Sequence, residues 1–276
     1  MTTRIGIVAP ASRIEPETAE RVTALARELY GDRAELVFHP QCFLSDNHFA
    51  GEDSVRADAF VEVANDPGFD ALWWARGGYG ANRIAEMVLP RLKDSARAKS
   101  YLGYSDAGFL LAVLYKHGFK AVHGPVAADI KRKGGESAVT RALKFLVEHD
   151  PSTLEPTVLE GKPVAAFNLC ILSHIVGTRL IPDLTDHIVM LEDVSEETYR
   201  VDRSLFHVTS APSMSKVGGL KCGRFSDVKP NDPEFGHTEE QVMRHWCTLY
   251  GIPFLGTADI GHDIDNKIVP FGCWTG

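Results

Sequence analysis

We start our fold prediction from the stretch Ser100-Tyr-Leu-Gly-Tyr-Ser-Asp-Ala-Gly108 and from the apolar run that follows it, Phe109-Leu-Leu-Ala-Val-Leu-Tyr115. The first four residues of the stretch predict a short strand and the apolar run predicts a helix, so that Ser105 lies in the turn between them. A sharp strand-to-helix turn of this kind lifts a serine hydroxyl out of a sheet, as in a nucleophile elbow. The usual pattern is G-x-S-x-G, and here Ala107 takes the fifth position. The stretch is also typical of a plain turn in which Ser105 or Asp106 caps the helix.

Short apolar runs alternate with amphipathic helical patterns around this stretch. Predicted strands lie at 5–9, 34–38, 69–75 and 120–123, and predicted helices at 22–29, 55–63, 82–88 and 137–148. Such alternation predicts an α/β fold with a parallel sheet that helices cover on both faces. Ligands of such sheets bind at the carboxyl ends of the strands, so the loops after Ala75, Gly103 and His123 are expected to carry the site.

A Pro- and Gly-rich stretch at 149–163 predicts a linker between two domains, 1–148 and 164–276. In the second domain we predict helices at 169–176 and 196–208 and strands at 188–191, 217–225 and 253–255. A further helix begins at a capping box formed by Thr238 and Gln241, and it ends at Gly251.

Glycines follow the strand at 69–75, in the sequence Arg76-Gly-Gly-Tyr-Gly80. Their backbone N–H groups could point at an anion, either a phosphate or the oxyanion of an acyl-transfer reaction. The spacing matches neither a P-loop nor a dinucleotide-binding motif. A tight turn without a ligand is the alternative interpretation.

Candidate acids and bases come later in the chain. Glu192 and Asp193 end an apolar strand, where a carboxylate could orient a histidine or form ordinary turn contacts. His262 lies in a Gly-rich loop after the strand at 253–255, and His123 and His174 are its rivals among 11 histidines.

The composition argues against several other classes of protein. The net charge is -8 and no basic stripe stands out, which argues against nucleic-acid binding. Five widely spaced cysteines include no CxxC pair, and no zinc or calcium motif occurs, so we predict neither a metal nor another cofactor. No signal peptide or apolar run of 18 residues is present, so we expect a cytoplasmic protein without membrane association.

Taken together, the motifs resemble the LD-carboxypeptidase family, the S66 serine peptidases. The matching segments, in family order, are Ile7–Ser12, Arg76–Gly80, Gly103–Asp106, His123–Pro125, Asn168-Leu169, Gly177-Thr178, Leu191–Asp193, Tyr199–Arg203, Gly223–Phe225 and Gly261-His262. They span nearly the whole chain, and several short motifs in order are far more specific than any one. The chain ends soon after Pro270-Phe-Gly272, where family members often continue, which leaves the last strand open.

The resemblance implies a Rossmann-like N-terminal domain, a smaller C-terminal α/β domain and a site at their junction. It implies a catalytic triad of Ser105, Glu192 and His262. The oxyanion hole would use backbone N–H groups, namely those of Asp106 and of Gly77 or Gly78. The predicted substrate-binding residues are Arg76, Tyr104, Asn168 and Arg203, with Arg200 and Arg224 as further candidates for a substrate carboxylate. A surface salt bridge is the alternative interpretation for each arginine.

The same resemblance implies a cytoplasmic homodimer that removes the terminal D-alanine from murein tetrapeptides during peptidoglycan recycling. Two alternatives stay open. One is hydrolysis of aminoacyl-nucleotide conjugates of the microcin C7 type, which the compact stretch Ser213–Gly219 does not favour. The other is a ligand-binding α/β protein without catalysis.

Overall fold

Two separate sheets organise the chain in the computed structural model, which describes residues 2–275. The strands of the first sheet are β1 (Thr3–Val8), β2 (Ala34–Phe38), β3 (Ala71–Trp74), β4 (Ser100–Gly103), β5 (Lys120–His123) and β10 (Val269–Pro270). Their order is β10-β5-β4-β3-β1-β2, and all pairs are parallel except that of β10 with β5. The order reverses between β1 and β3, and ligands of open α/β sheets bind at such a switch point.

Five helices accompany this sheet: α1 (Pro16–Tyr30), α2 (Asp53–Asn65), α3 (Ala81–Val88), α4 (Gly108–Lys116) and α5 (Glu136–Glu148). Apolar side chains at helical spacing on α1, including Val22 and Ala26, are buried in the cluster that also holds Ile5 and Ile7 of β1. Phe60 of α2 and Leu110 of α4 lie in the other apolar cluster. The predicted parallel sheet with helical cover is confirmed.

The second sheet is smaller and wholly parallel. Its strands are β6 (Val164–Asn168), β7 (Ile188–Val194), β8 (Gly219–Ser226) and β9 (Phe254–Thr257), in that order, with helices α6 (Leu169–Ile175), α7 (Thr198–Ser210) and α8 (Glu239–Tyr250). The capping box of Thr238 and Gln241 is present, and Gly251 ends α8 in a left-handed conformation. Strand β6 was not predicted, although all five of its residues are buried.

The C-terminal segment ties the two sheets together. Val269 pairs with His123 of β5, while the backbone groups of Gly272 and Val164 exchange two hydrogen bonds, of 3.1 and 2.8 Å. The last strand left open by the sequence therefore forms, and it lies in the first sheet. The domain boundaries at 148 and 164 stay a prediction.

Candidate active site

Ser105 lies at a strained turn between β4 and α4. Its backbone φ is 62°, a left-handed value that non-glycine residues seldom adopt. Tyr104 before it and Asp106 after it are buried, whereas Ser105 itself is partly exposed. The turn therefore presents the serine side chain at the carboxyl end of the sheet, as the elbow pattern predicts.

The glycine loop after β3 packs directly against this serine. A Cβ atom on Gly77 would lie 3.2 Å from the Ser105 hydroxyl oxygen, so a side chain there would crowd the hydroxyl. Gly78 has a φ of 110°, and a Cβ on it would lie 2.3 Å from the Ser12 hydroxyl. In residues 2–275, neither glycine N–H donates a hydrogen bond. The amide of Gly77 is therefore available to an anion beside Ser105, and that of Gly78, which packs against Ser12, is available as well.

The carboxylate of Asp106 links the glycine loop to the elbow. It accepts hydrogen bonds from the N–H groups of Gly80 (3.3 Å) and Ala81 (2.8 Å), at the start of α3. Burial raises the pKa of Asp106 to about 6, against the opposing effect of these two bonds. Asp106 thus caps α3 from a neighbouring loop, and it holds the glycine loop beside Ser105.

The second sheet supplies a histidine and its acid partner. Glu192 of β7 is fully buried, and its Oε2 forms a short hydrogen bond with Nδ1 of His262. Burial alone would lower the pKa of the His262 ring, but the charge and hydrogen bond of Glu192 outweigh it, so the pKa is raised. Because Nδ1 is engaged, Nε2 is left to exchange protons with a nucleophile.

An arginine anchors the loop that carries His262. Arg224 of β8 binds both oxygens of Asp263, through Nε (2.5 Å) and Nη2 (2.8 Å), and it also binds Asp259. These bonds raise the pKa of Arg224. Arg224 therefore does not have the free guanidinium expected of a substrate-carboxylate ligand, and it positions the histidine loop instead.

The rival base, His123, lies behind the site. Its side chain is buried at the end of β5, and Nε2 lies 3.2 Å from Oδ1 of Asn266, which also accepts the Gly261 N–H. Burial lowers the pKa of His123 to about 4. This ring is neutral at physiological pH and does not line the cavity that holds Ser105 and His262.

Ser105 and His262 face a common cavity of about 280 Å³, which we call the Ser105 cavity. Its lining residues are Arg76, Gly77, Gly78, Tyr104, Ser105, Val126, Ala128, Asp129, Lys131, Arg132 and His262. Ser105 makes no side-chain hydrogen bond within residues 2–275, and catalytic contacts of this kind often form only with substrate bound. Residues from both sheets therefore meet in one space, as the triad prediction requires.

The predicted substrate-binding residues fall into two groups. Arg76 and Tyr104 line the Ser105 cavity, and the Tyr104 hydroxyl donates to Asp129. Asn168 instead caps α6 by accepting the Ile171 N–H at 3.0 Å, and it does not line this cavity. Its amide also donates to Asp193. Asp193 and Glu192 are consecutive residues of β7, so their side chains point to opposite faces of the sheet, and Glu192 is the one that contacts His262.

Arg203 lies in a different cavity, of about 490 Å³, between α6 and α7. We call it the Arg203 cavity; it is lined by Cys170, Ser173, His174, Glu196, Arg200, Arg203, Ser204, Phe206 and His207. Arg200 is paired there with Glu197 at 2.8 Å. The substrate-binding role predicted for Arg203 and Asn168 is therefore not supported by their positions.

Neither a metal centre nor a membrane-spanning helix is indicated within residues 2–275. Between residues 2 and 275, no group of three or more His, Cys, Asp or Glu side chains is placed to hold a metal ion. In the same part of the chain, no helix has both the length and the apolar character that crossing a membrane requires.

Family models match both halves of the chain. Residues 5–124 match the LD-carboxypeptidase N-terminal domain, and residues 161–276 match the LD-carboxypeptidase C-terminal domain. The chain belongs to the LD-carboxypeptidase family. Membership makes it a serine-type carboxypeptidase, and it confirms the resemblance seen in the sequence.

Known proteins with a similar sequence or a similar fold are consistent with that assignment. The murein tetrapeptide carboxypeptidase of Pseudomonas aeruginosa is 26% identical, over 98% of this chain and 91% of its own. The muramoyltetrapeptide carboxypeptidase of Oxalobacter formigenes has a similar fold, with a TM-score of 0.79 at 23% identity, covering 97% of this chain and 93% of that one. The microcin C7 self-immunity protein MccF, solved with aspartyl sulfamoyl adenosine, gives 0.80 at 19% identity and coverages of 99% and 92%. At these identities the two structures establish the fold alone.

Three residues that form one wall of the Ser105 cavity were not predicted from the sequence. Asp129, Lys131 and Arg132 follow β5 on a short 3-10 turn, beyond the His-Gly-Pro motif of the family. The sequence did indicate the loop after His123 as a place to search. No motif singled out these three residues, because their roles depend on contacts with distant parts of the chain.

Proposed function

We propose that this protein is an LD-carboxypeptidase that removes the terminal D-alanine from murein tetrapeptides by way of an acyl-enzyme. The observation that carries the proposal is the meeting of Ser105 with His262, whose ring is bonded to the buried Glu192, in one cavity of a family member. The names of the Pseudomonas aeruginosa and Oxalobacter formigenes relatives support this substrate class.

In the proposed acylation step, the Ser105 oxygen attacks the carbonyl carbon of the third peptide residue, and Nε2 of His262 takes the hydroxyl proton. Glu192 holds the ring through Nδ1 and stabilises its charged form. In this proposal the oxyanion is bound by the amides of Gly77 and Gly78, which donate no hydrogen bond within residues 2–275, together with that of Asp106. Each such donor is worth about 3 kcal/mol in related reactions.

The tetrahedral intermediate then collapses. The bond between the carbonyl carbon and the D-alanine nitrogen breaks, and His262 returns its proton to the leaving amine. Water next attacks the Ser105 ester, with the same ring as base, and releases the tripeptide. No cofactor enters either step.

The test is D-alanine release from L-Ala-γ-D-Glu-meso-diaminopimelate-D-Ala by the purified protein. We expect one D-alanine and one tripeptide for each tetrapeptide consumed. Absence of release, together with hydrolysis of an aminoacyl sulfamoyl adenosine, would instead assign the reaction of the microcin C7 type. Binding without turnover of either compound would leave a ligand-binding protein.

Homodimer formation and a cytoplasmic location are part of the same proposal, and they rest on the family resemblance. Light scattering of the purified protein would detect the dimer, and cell fractionation would detect the location.

A further inference from the structure

Three cations line the Ser105 cavity, and they differ in what already binds them. Lys131 Nζ pairs with Glu15 at 2.9 Å. Arg76 is exposed, and its one hydrogen bond in the described part of the chain is donated to the Arg13 carbonyl, at 3.3 Å. The side chain of Arg132 is about 39% exposed, and its Nε donates to Asp129 at 2.9 Å. Arg132 is thus held in place while part of its guanidinium remains open to the cavity.

Asp129 gives the guanidinium of Arg132 a fixed orientation. This carboxylate is buried, and it accepts the Tyr104 hydroxyl (2.9 Å) and the Val126 N–H (3.0 Å) as well as Arg132 Nε. Nη2 of Arg132 also lies 3.4 Å from the Tyr104 hydroxyl oxygen. A guanidinium has five N–H donors, so at least two remain for a ligand after these contacts. Such a preorganised fork matches a carboxylate.

Arg132 and Arg76 differ in which part of the proposed site they adjoin. Arg76 adjoins the proposed oxyanion hole, and Arg132 adjoins, through Tyr104, the histidine that protonates the leaving group. Gly77 packs against Ser105 and belongs to the proposed oxyanion hole, and Arg76 directly precedes it in the chain. The leaving amine must meet His262 instead, because this ring protonates it. The ring of Tyr104 packs on that of His262 with 4.7 Å between centroids, and the Tyr104 hydroxyl contacts Arg132. Arg132 is thus connected to His262 through Tyr104, and this connection places it on the leaving-group side in the proposed reaction.

The leaving residue of a carboxypeptidase is a single amino acid. Its nitrogen and its carboxylate carbon are separated by about 2.5 Å, since only two bonds join them. The free carboxylate must therefore lie close to the point where His262 delivers its proton. A cation on that side, and not one beside the oxyanion, is in position to bind it.

We infer that Arg132, oriented by Asp129 and Tyr104, binds the terminal carboxylate of the substrate and so restricts this enzyme to C-terminal residues. This inference rests on the proposed function and assigns the residue that sets its specificity. Asp129 and Tyr104 act as positioning residues, since they reach the substrate through Arg132.

The test compares two substrates, the tetrapeptide and its C-terminal amide, which lacks the negative charge. The wild type should have a higher kcat/KM for the acid than for the amide. Arg132→Gln should reduce the ratio of these two values about 10- to 100-fold, because hydrogen bonds to a charged group contribute about that much. Arg132→Lys keeps the charge without the fork and should retain part of the preference. Arg76→Gln and Lys131→Gln are the matched controls, and both should keep the wild-type preference.

The inference is overturned if Arg132→Gln, folded by circular dichroism, still prefers the acid as the wild type does. It is equally overturned if Arg76→Gln abolishes the preference. A binding experiment tests this inference separately from the proposed function. Calorimetry with Ser105→Ala should show tighter binding of the acid than of the amide, and adding Arg132→Gln should remove the difference. If the wild type releases no D-alanine, the proposed function fails, and this binding difference alone decides the role of Arg132.

Discussion

The Ser105 cavity and the Arg203 cavity contain similar side chains in different arrangements. Each holds a possible nucleophile, Ser105 or Cys170, and each holds two arginines. The first is lined by one histidine, His262, and the second by two, His174 and His207. In the Ser105 cavity, His262 is bonded to a buried carboxylate. In the Arg203 cavity, Nδ1 of His174 lies 2.6 Å from the backbone carbonyl of Cys170, one turn earlier on its own helix. Within residues 2–275, neither His174 nor His207 contacts a carboxylate, so His262 is the ring of the two cavities that has an acid partner.

The nucleophiles differ in the same way. Ser105 stands on a strained turn beside free glycine amides. Burial, together with the charge of Asp193, raises the pKa of the Cys170 thiol to about 11, so the reactive thiolate is scarce at neutral pH. Residue types in a cavity therefore do not make a catalytic site by themselves, because the arrangement of the side chains also matters. The strained turn, the amides and the acid behind the base distinguish the two.

The largest expected effect separates the two nucleophiles. Ser105→Ala should reduce kcat for D-alanine release by about 10⁶-fold, as for other triad serines. Cys170→Ser, the matched control in the other cavity, should leave kcat within about twofold, as for a side chain outside the machinery. Steady-state kinetics on both variants is the measurement, and full activity in Ser105→Ala would contradict the assignment.

The second effect concerns the acid behind the base. Glu192→Gln preserves the shape of the side chain but removes the charge that orients and stabilises the His262 ring. We expect kcat to fall by about 10³- to 10⁴-fold, with KM changed little. A loss confined to KM would indicate a substrate contact in place of a triad role.

The pH dependence follows from the raised pKa of His262. The ring must be neutral to accept the serine proton, so activity is lost as the pH falls through this pKa. In the wild type the midpoint of the acid limb of kcat/KM should lie above 6.5, the ordinary value. In Glu192→Gln the midpoint should move to lower pH, since the stabilising charge is gone. An unchanged midpoint across pH 4.5 to 9 would exclude Glu192 as its cause.

A smaller effect tests the link between the elbow and the glycine loop. Asp106→Asn replaces one acceptor oxygen by a donor that opposes a backbone N–H, of Gly80 or Ala81. The loop should shift, and kcat should fall about 10- to 100-fold at unchanged KM, because oxyanion contacts act in the transition state. Unfolding curves check that the variant is folded. An intact kcat would show that the loop holds its position without this carboxylate.

The smallest effect belongs to the Arg203 cavity. Arg203→Ala should change kcat/KM by less than about twofold, because an exposed arginine away from the reacting groups contributes little. Its matched counterpart is Arg132→Gln in the Ser105 cavity. A tenfold loss of kcat/KM in Arg203→Ala would show that substrate reaches both cavities.

Much of the fold could be predicted because local patterns determine it. The strand–helix alternation predicted the first sheet, and the interval at 34–38 matches β2. Strand β6 was missed because its run of five residues stands between the predicted linker, which ends at Pro163, and the predicted helix at 169–176, and no alternating pattern marks it as a strand. Strand β10 is two residues long and is defined by its pairing with β5, a partner that the sequence does not indicate.

In the candidate site too, residues in local motifs could be predicted, and residues that depend on distant contacts could not. Ser105, Glu192 and His262 could be predicted since each lies in a short motif of the family. The roles of Asp129 and Arg132 could not, because they depend on contacts with Tyr104, 25 and 28 residues away. Asn168 and Arg203 lie in family motifs too, but the folded chain directs one to a helix cap and the other to a separate cavity.

The most direct experiment determines whether the tetrapeptide binds in the Ser105 cavity or in the Arg203 cavity. Backbone amide shifts of isotope-labelled Ser105→Ala, titrated with the tetrapeptide, report both cavities in one experiment. We expect the largest shifts at Gly77 and His262, with those of Cys170 and Arg203 unchanged. Shifts centred on Cys170 and Arg203, with Gly77 and His262 unmoved, would contradict the assignment of the Ser105 cavity as the peptide site.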